Sequence, residues 1–158
     1  MNNTIRLVIS IAIPLVIGLA GGFFTAPQIP VWYAQLHKPS WNPPGWIFGP
    51  VWTLLYILMG IALFLIWKSD STGSLRKTAI LLFEMQLLLN FCWSFIFFHQ
   101  HQIGWALAEI ALLWVVILCT MFAFGRISST AAWLMLPYIC WVSFAAILNA
   151  SIWGLNRT

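Results

Sequence analysis

Three acidic residues, Asp70, Glu84 and Glu109, are all the chain has. Glu84 and Glu109 fall in different apolar stretches, each about five residues from a stretch end and toward opposite sides of a membrane. That separation excludes a carboxylate pair for acid–base work, and each acid is expected to snorkel to the interface or meet a structural partner. Charged residues make up 6% of the chain, against about 25% in soluble domains, so no window can form a separate water-soluble domain. Cys92, Cys119 and Cys140 lie inside apolar stretches without a CxxC pair and read as small hydrophobes, which excludes a disulfide framework and a cysteine metal site. His99 and His101 share a short loop and read as solvated, so no metal is expected. No nucleophile–base pair and no nucleotide loop is present to carry ordinary catalysis. The formal charge of +4 comes from loop Lys and Arg; it is an orientation signal and does not indicate nucleic-acid binding.

What the chain does have is apolar length. Hydrophobic residues make up 62%, and the mean hydropathy is +0.93. The 158 residues accommodate five spans of about 20 residues with short loops, an all-α polytopic membrane bundle forming one domain over 1–158. The spans are expected near 5–25, 46–67, 79–98, 104–124 and 131–153. The first is read as a retained helix, because it is long for a signal peptide and ends in no clear small-x-small site. Pro14 lies inside it. Pro137 lies inside the fifth span, where it should leave a carbonyl without its usual donor. The connections 99–103 and 125–130 are tight, so the last three spans should be antiparallel neighbours. Arg6, Lys68, Arg76, Lys77 and Arg126 fall on the amino-terminal side, against Lys38 and Arg157 on the other. That bias places the amino terminus in the cytoplasm of a bacterial cell. Gly18 and Gly22, and the line Ala146, Ala150, Gly154, suit close helix contacts within the bundle or between protomers.

The loop between the first two spans departs most from an ordinary membrane connector. Pro27, Pro30, Pro39, Pro43 and Pro44 crowd residues 26–45, together with Trp32, Tyr33 and Trp41. Proline fixes φ and pushes its predecessor out of the helical region, so the loop should be stiff and extended. A stiff aromatic loop at a membrane mouth reads as a lid over an apolar pocket, with Lys38 at the mouth.

Eleven tryptophans need places. Trp46, Trp67, Trp105, Trp133 and Trp153 lie near span ends, where an indole sits at the headgroup level with its N–H wet. Trp52, Trp93, Trp114 and Trp141 are deeper, and a buried indole N–H requires an acceptor. On the third span Gln86, Asn90, Trp93 and Phe97 share a face; on the second, Trp52, Tyr56 and Met59 do. Interhelical hydrogen bonding would explain such polar residues. Their convergence beneath the lid favours a pocket bounded by Trp32, Trp41, Trp52, Tyr56, Gln86, Asn90, Trp93 and Trp141.

The stretch WYAQLHKPSWNPPGWIFGPVWTLLYILMG at 32–60 resembles the translocator protein family, also called tryptophan-rich sensory protein or peripheral benzodiazepine receptor. LLNFCWSFIFF at 88–98, GWALAEIALLW at 104–114 and LPYICWVSFAAILN at 136–149 extend the resemblance over nearly the whole chain. The resemblance implies a five-helix bundle whose first loop closes a pocket. It implies binding of porphyrins such as protoporphyrin IX and haem, and of benzodiazepine- or isoquinoline-type ligands. It points to Trp52, Asn90 and Trp141 as contacts, with Trp32 and Trp41 nearby, and to a homodimer embedded in membrane lipid. It also raises two alternatives: light-dependent porphyrin breakdown, with Trp52 and Trp141 as electron donors, and transport of tetrapyrroles or sterol-like lipids. No cofactor is required beyond a porphyrin or haem ligand. The family's sterol motif needs Lys or Arg within five residues of Tyr138; Ile139, Cys140, Trp141, Val142 and Ser143 supply none, so tight sterol binding is not expected.

Overall fold

The computed structural model describes residues 2–70 and 73–157. Five helical spans cross in alternating directions, each long and apolar enough to traverse a bilayer. α1 is Asn3–Thr25, α3 Phe48–Lys68, α4 Ser74–Ser94 and α5 Ile103–Gly125; the fifth span comprises α6 (Ser129–Leu134) and α7 (Leu136–Asn156), and α2 (Trp32–Gln35) is one turn within the first loop. α1 packs on α3 and α4, α4 on α5, and α5 on α7.

Three local features differ from the hydropathy reading. α4 begins at Ser74 rather than near 79, because Arg76 and Lys77 continue the helix into water beyond its apolar part. Glu84 therefore sits ten residues into the helix, exposed on its outer face. The last turn of this span, Phe95–His99, widens to a π-helix, with the Gln100 amide donating to the Phe95 carbonyl at 3.0 Å. The fifth span is broken at Met135, which places Pro137 in the first turn of α7, where its missing N–H costs nothing. The first loop is only partly extended: Ala26–Gln28 and α2 are helical turns, and the extended run starts at Leu36. Pro27 is tolerated there because it sits at the start of its turn.

The two halves of the bundle are packed differently. On the amino-terminal side, Met59, Phe83, Ile117, Phe124 and Tyr138 form a closed core, each fully buried. On the lid side, Tyr33, Phe97, Phe98, Leu148 and Ile152 form a second cluster beneath the loop. α1 contributes small residues to the packing: its buried positions are Ser10, Pro14 and Gly21. α1 and α3 meet backbone to backbone at Gly60, where an added Cβ would lie 2.5 Å from the Ile11 Cα and 2.8 Å from the Ser10 carbonyl oxygen.

Candidate functional site

The lid-side half holds a cavity of about 450 Å³ between α1, α3, α4 and α7. That volume lies within the range of about 300–1,000 Å³ typical of small-molecule sites. Leu15, Gly18 and Gly22 of α1 face Trp52 and Tyr56 of α3, Trp93 and Ser94 of α4, and Trp141, Phe144 and Ala145 of α7. Tyr33 and Ile29 of the first loop also line the cavity. The aromatic wall is ordered by ring packing. Trp52 stacks on Tyr56 at 5.4 Å, Trp93 on Phe97 at 5.0 Å, and Trp141 lies 5.3 Å from Phe144.

The deep tryptophans divide into two pairs. The Trp93 indole donates to the Asn149 side-chain oxygen at 3.1 Å, and Asn149 in turn donates to the Ile103 carbonyl. The Trp114 indole donates to the Ser143 hydroxyl at 2.8 Å, which passes the bond on to the Ile139 carbonyl. Trp52 and Trp141 stand on the cavity wall, and among the described residues neither indole N–H has an acceptor. Both residues are half-buried and neither indole N–H is shut away from contact, so each is free to donate to a guest.

Of the residues singled out from the sequence, Trp52, Tyr56, Trp93 and Trp141 share the wall, whereas Trp32, Trp41, Gln86 and Asn90 lie behind it. Asn90 is buried and accepts from the Tyr56 hydroxyl at 2.6 Å while donating to Tyr138 at 3.3 Å. It reaches the cavity through Tyr56, whose ring it fixes. Gln86 is fully buried one turn deeper, with both amide atoms unpartnered among the described residues. Trp32 stacks on His101 at 4.1 Å and packs edge-on against Phe97, so it pins the lid to the α4–α5 turn. His101 is not simply solvated, and it turns that corner with φ 56°. Trp41 is half exposed and lies over Phe144. Glu109 neither snorkels nor pairs: both its oxygens are buried with no hydrogen-bond partner among the described residues.

The α1 wall was not among the sequence-derived site residues, because Gly18 and Gly22 look the same whether glycine serves packing or a void. The structure separates them. A Cβ on Gly18 would strike the Tyr56 ring, while one on Gly22 would meet nothing within 4 Å.

The lid is held by polar contacts that its sequence does not announce. The Lys38 ammonium donates to the carbonyls of Tyr33, Leu36 and Ala34 at 2.6, 2.9 and 3.2 Å, which closes the end of α2. It is a loop staple rather than a free cation at the mouth. Asn156, at the end of α7, exchanges two hydrogen bonds with the His37 backbone at 3.0 and 2.8 Å. The Tyr33 hydroxyl donates to the Asn42 side chain at 2.6 Å, and burial pushes this phenol up to about 12, the bond to Asn42 offsetting part of the rise.

These contacts predict the lid's behaviour. A spin label at Gln35→Cys should be immobile in the wild type and mobile once Asn156→Ala removes the latch. The neutral phenol is the buried form, so the closed lid keeps its full advantage below pH 10. That advantage falls as the freed Tyr33 ionises and is gone above about pH 12. Label mobility should rise over that window in the wild type and lose the step in Tyr33→Phe.

Five alternating membrane helices around a largely apolar, partly open cavity beneath a structured loop define the class: a polytopic membrane protein with a hydrophobic cavity. The chain belongs to the TspO/MBR family, whose sequence model matches residues 10–154. It is 44% identical to the tryptophan-rich protein TspO of Chlorobaculum tepidum over 99% of both chains. It is 44% identical to the protein of the same name from Archaeoglobus fulgidus, over 98% of this chain and 99% of that one. Against the human translocator protein the identity is 42%, covering 80% of this chain and 75% of the relative.

Proposed function

We propose that this protein binds porphyrins, protoporphyrin IX and haem among them, in the cavity beneath the first loop. The observation that carries the reading is the pair of indole donors, Trp52 and Trp141, that no protein group among the described residues engages, on a mostly apolar aromatic wall. Flat aromatic side chains suit the faces of a macrocycle, and two N–H groups suit its carboxylate or ring acceptors. Ser94 adds a hydroxyl to the same wall. The wall carries no charged side chain, so affinity comes from burial and direction from the indoles.

Protoporphyrin IX titrated into the protein in lipid nanodiscs should quench tryptophan fluorescence saturably. Trp52→Phe and Trp141→Phe should each weaken binding by roughly fivefold, the value of one hydrogen bond of about 1 kcal/mol. Trp67→Phe, at the far end of α3, should leave affinity unchanged. Unchanged affinity in both cavity variants together with a loss in Trp67→Phe would place the site elsewhere.

The amino terminus is read as cytoplasmic, which puts the lid and the end of α7 outside. In intact cells an impermeant thiol reagent should label Arg157→Cys and spare Asn3→Cys. The reverse pattern would invert the orientation and make the cavity open inward.

A further inference from the structure

We propose that the groove where α5 ends against α6, on the amino-terminal side of the membrane, holds one phospholipid with an anionic headgroup. This site is separate from the porphyrin cavity and does not depend on it. One wall is α5, where Leu118, Phe122 and Arg126 follow i, i+4, i+8 spacing and so form a single stripe. The other wall carries Ser129 and Trp133, at i and i+4. Gly125 and Ala132 form the narrow floor between them; a Cβ on Gly125 would lie 3.7 Å from that of Ala132. The groove has a volume of about 570 Å³.

Its chemistry is ordered along its length. Arg126 and Ser129 stand at the end of α5, where the chain turns in water, and everything further down is apolar. From Arg126 to Leu118 the stripe descends about 12 Å into the bilayer at 1.5 Å per residue. Polar at the water end and apolar below is the order of a phospholipid headgroup and the first part of its acyl chains. Phe122 and Trp133 are 70% and 69% exposed, so the groove opens sideways to lipid. A free phosphate would meet Arg126 and Ser129 but leave the apolar walls unused.

Charge selects the headgroup. This side of the bundle carries Arg6, Lys68, Arg76, Lys77 and Arg126 against Asp70. The other acids, Glu84 and Glu109, are not groove residues. No acid is among the described lining residues, and a guanidinium matches a phosphodiester with two parallel N–H bonds; phosphatidylcholine has the same phosphodiester but adds a trimethylammonium cation, which this basic side of the bundle disfavours.

Native mass spectrometry tests this directly. The protein is presented with equimolar phosphatidylglycerol and phosphatidylcholine and released from detergent. The wild type should retain one phosphatidylglycerol, preferred over phosphatidylcholine by about tenfold, because the choline lipid brings a second cation beside Arg126 and the glycerol lipid does not. Arg126→Gln should erase the preference, while Lys77→Gln, on the same side but outside the groove, should keep it. Gly125→Leu, whose added side chain has room beside Ala132, should fill the floor and lose the lipid although Arg126 is present. Circular dichroism confirms that each variant is folded. Equal retention of the two lipids by the wild type would overturn the proposal. So would full preference in folded Arg126→Gln or Gly125→Leu, or displacement of the lipid by millimolar inorganic phosphate.

Discussion

Gly60→Val will destabilise the bundle by about 3 kcal/mol or more, the upper end of what overpacking costs. The reason is that the atoms in the way are backbone. A Cβ at Gly60 would lie 2.5 Å from the Ile11 Cα and 2.8 Å from the Ser10 carbonyl oxygen, and neither can rotate aside. Pro14 adds to the cost. It has no N–H to give the Ser10 carbonyl, so α1 presents an oxygen without its usual helical donor against Gly60 of α3. Separating the helices to admit a side chain would leave the oxygen less covered in an apolar setting. Denaturant titration of the detergent-solubilised protein, followed by circular dichroism, should show an early transition for Gly60→Val and a milder one for Gly60→Ala. Gly22→Ala is the control: a Cβ there meets nothing within 4 Å, and alanine is the better helix former inside α1. Equal stability of Gly60→Val and the wild type would mean that the α1–α3 crossing is looser than it stands here.

The spans were legible because burying backbone in hydrocarbon forces helix wherever some twenty apolar residues run together. Where polar residues take over, hydropathy loses the helix although the hydrogen-bond ladder continues, which is why α4 starts five residues before its apolar stretch. The break at Met135 was half legible. Pro137 marked a disturbance, but only the structure shows the helix restarting so that the proline falls in a first turn. The prolines marked the loop as unusual, but neither its helical turns nor the partners that seat it could be read from them. Asn156 lies 119 residues from His37, and no local pattern ties the two together. The site was legible to the extent that aromatics on one helix face signal a shared environment. Trp52 and Trp93 both reached the wall, yet only one has a protein acceptor, and an acceptor on another helix leaves no trace in the donor's own sequence. Asn90 and Gln86 share the Trp93 face by spacing but sit deeper, where the helices close up and the void has ended.

If the cavity is the porphyrin site, Ala145→Phe will weaken porphyrin binding about a hundredfold. Ala145 lies one turn along α7 from Trp141 and opens into the cavity, so a ring placed there occupies space the guest needs. Excluding about 120 Å² of apolar ligand surface forfeits about 3 kcal/mol, roughly a hundredfold in affinity. That exceeds the loss of either indole donor, and the contrast separates the two roles the wall can play. If burial dominates, Ala145→Phe should shift the protoporphyrin IX quenching midpoint about a hundredfold, while the Trp52→Phe/Trp141→Phe double variant binds about thirtyfold more weakly than the wild type, two hydrogen bonds' worth. If the indoles dominate, the double variant should be the weaker binder. Circular dichroism and the Asn156-dependent immobility of the lid label report whether the bundle and lid survive the added ring. Wild-type affinity in a folded Ala145→Phe protein would remove the cavity from the account altogether and leave porphyrin bound at the outer surface of the bundle. The Trp52 and Trp141 donors, which no protein group engages among the described residues, would then serve the half-buried wall as apolar rings alone, and the double variant should bind as the wild type does.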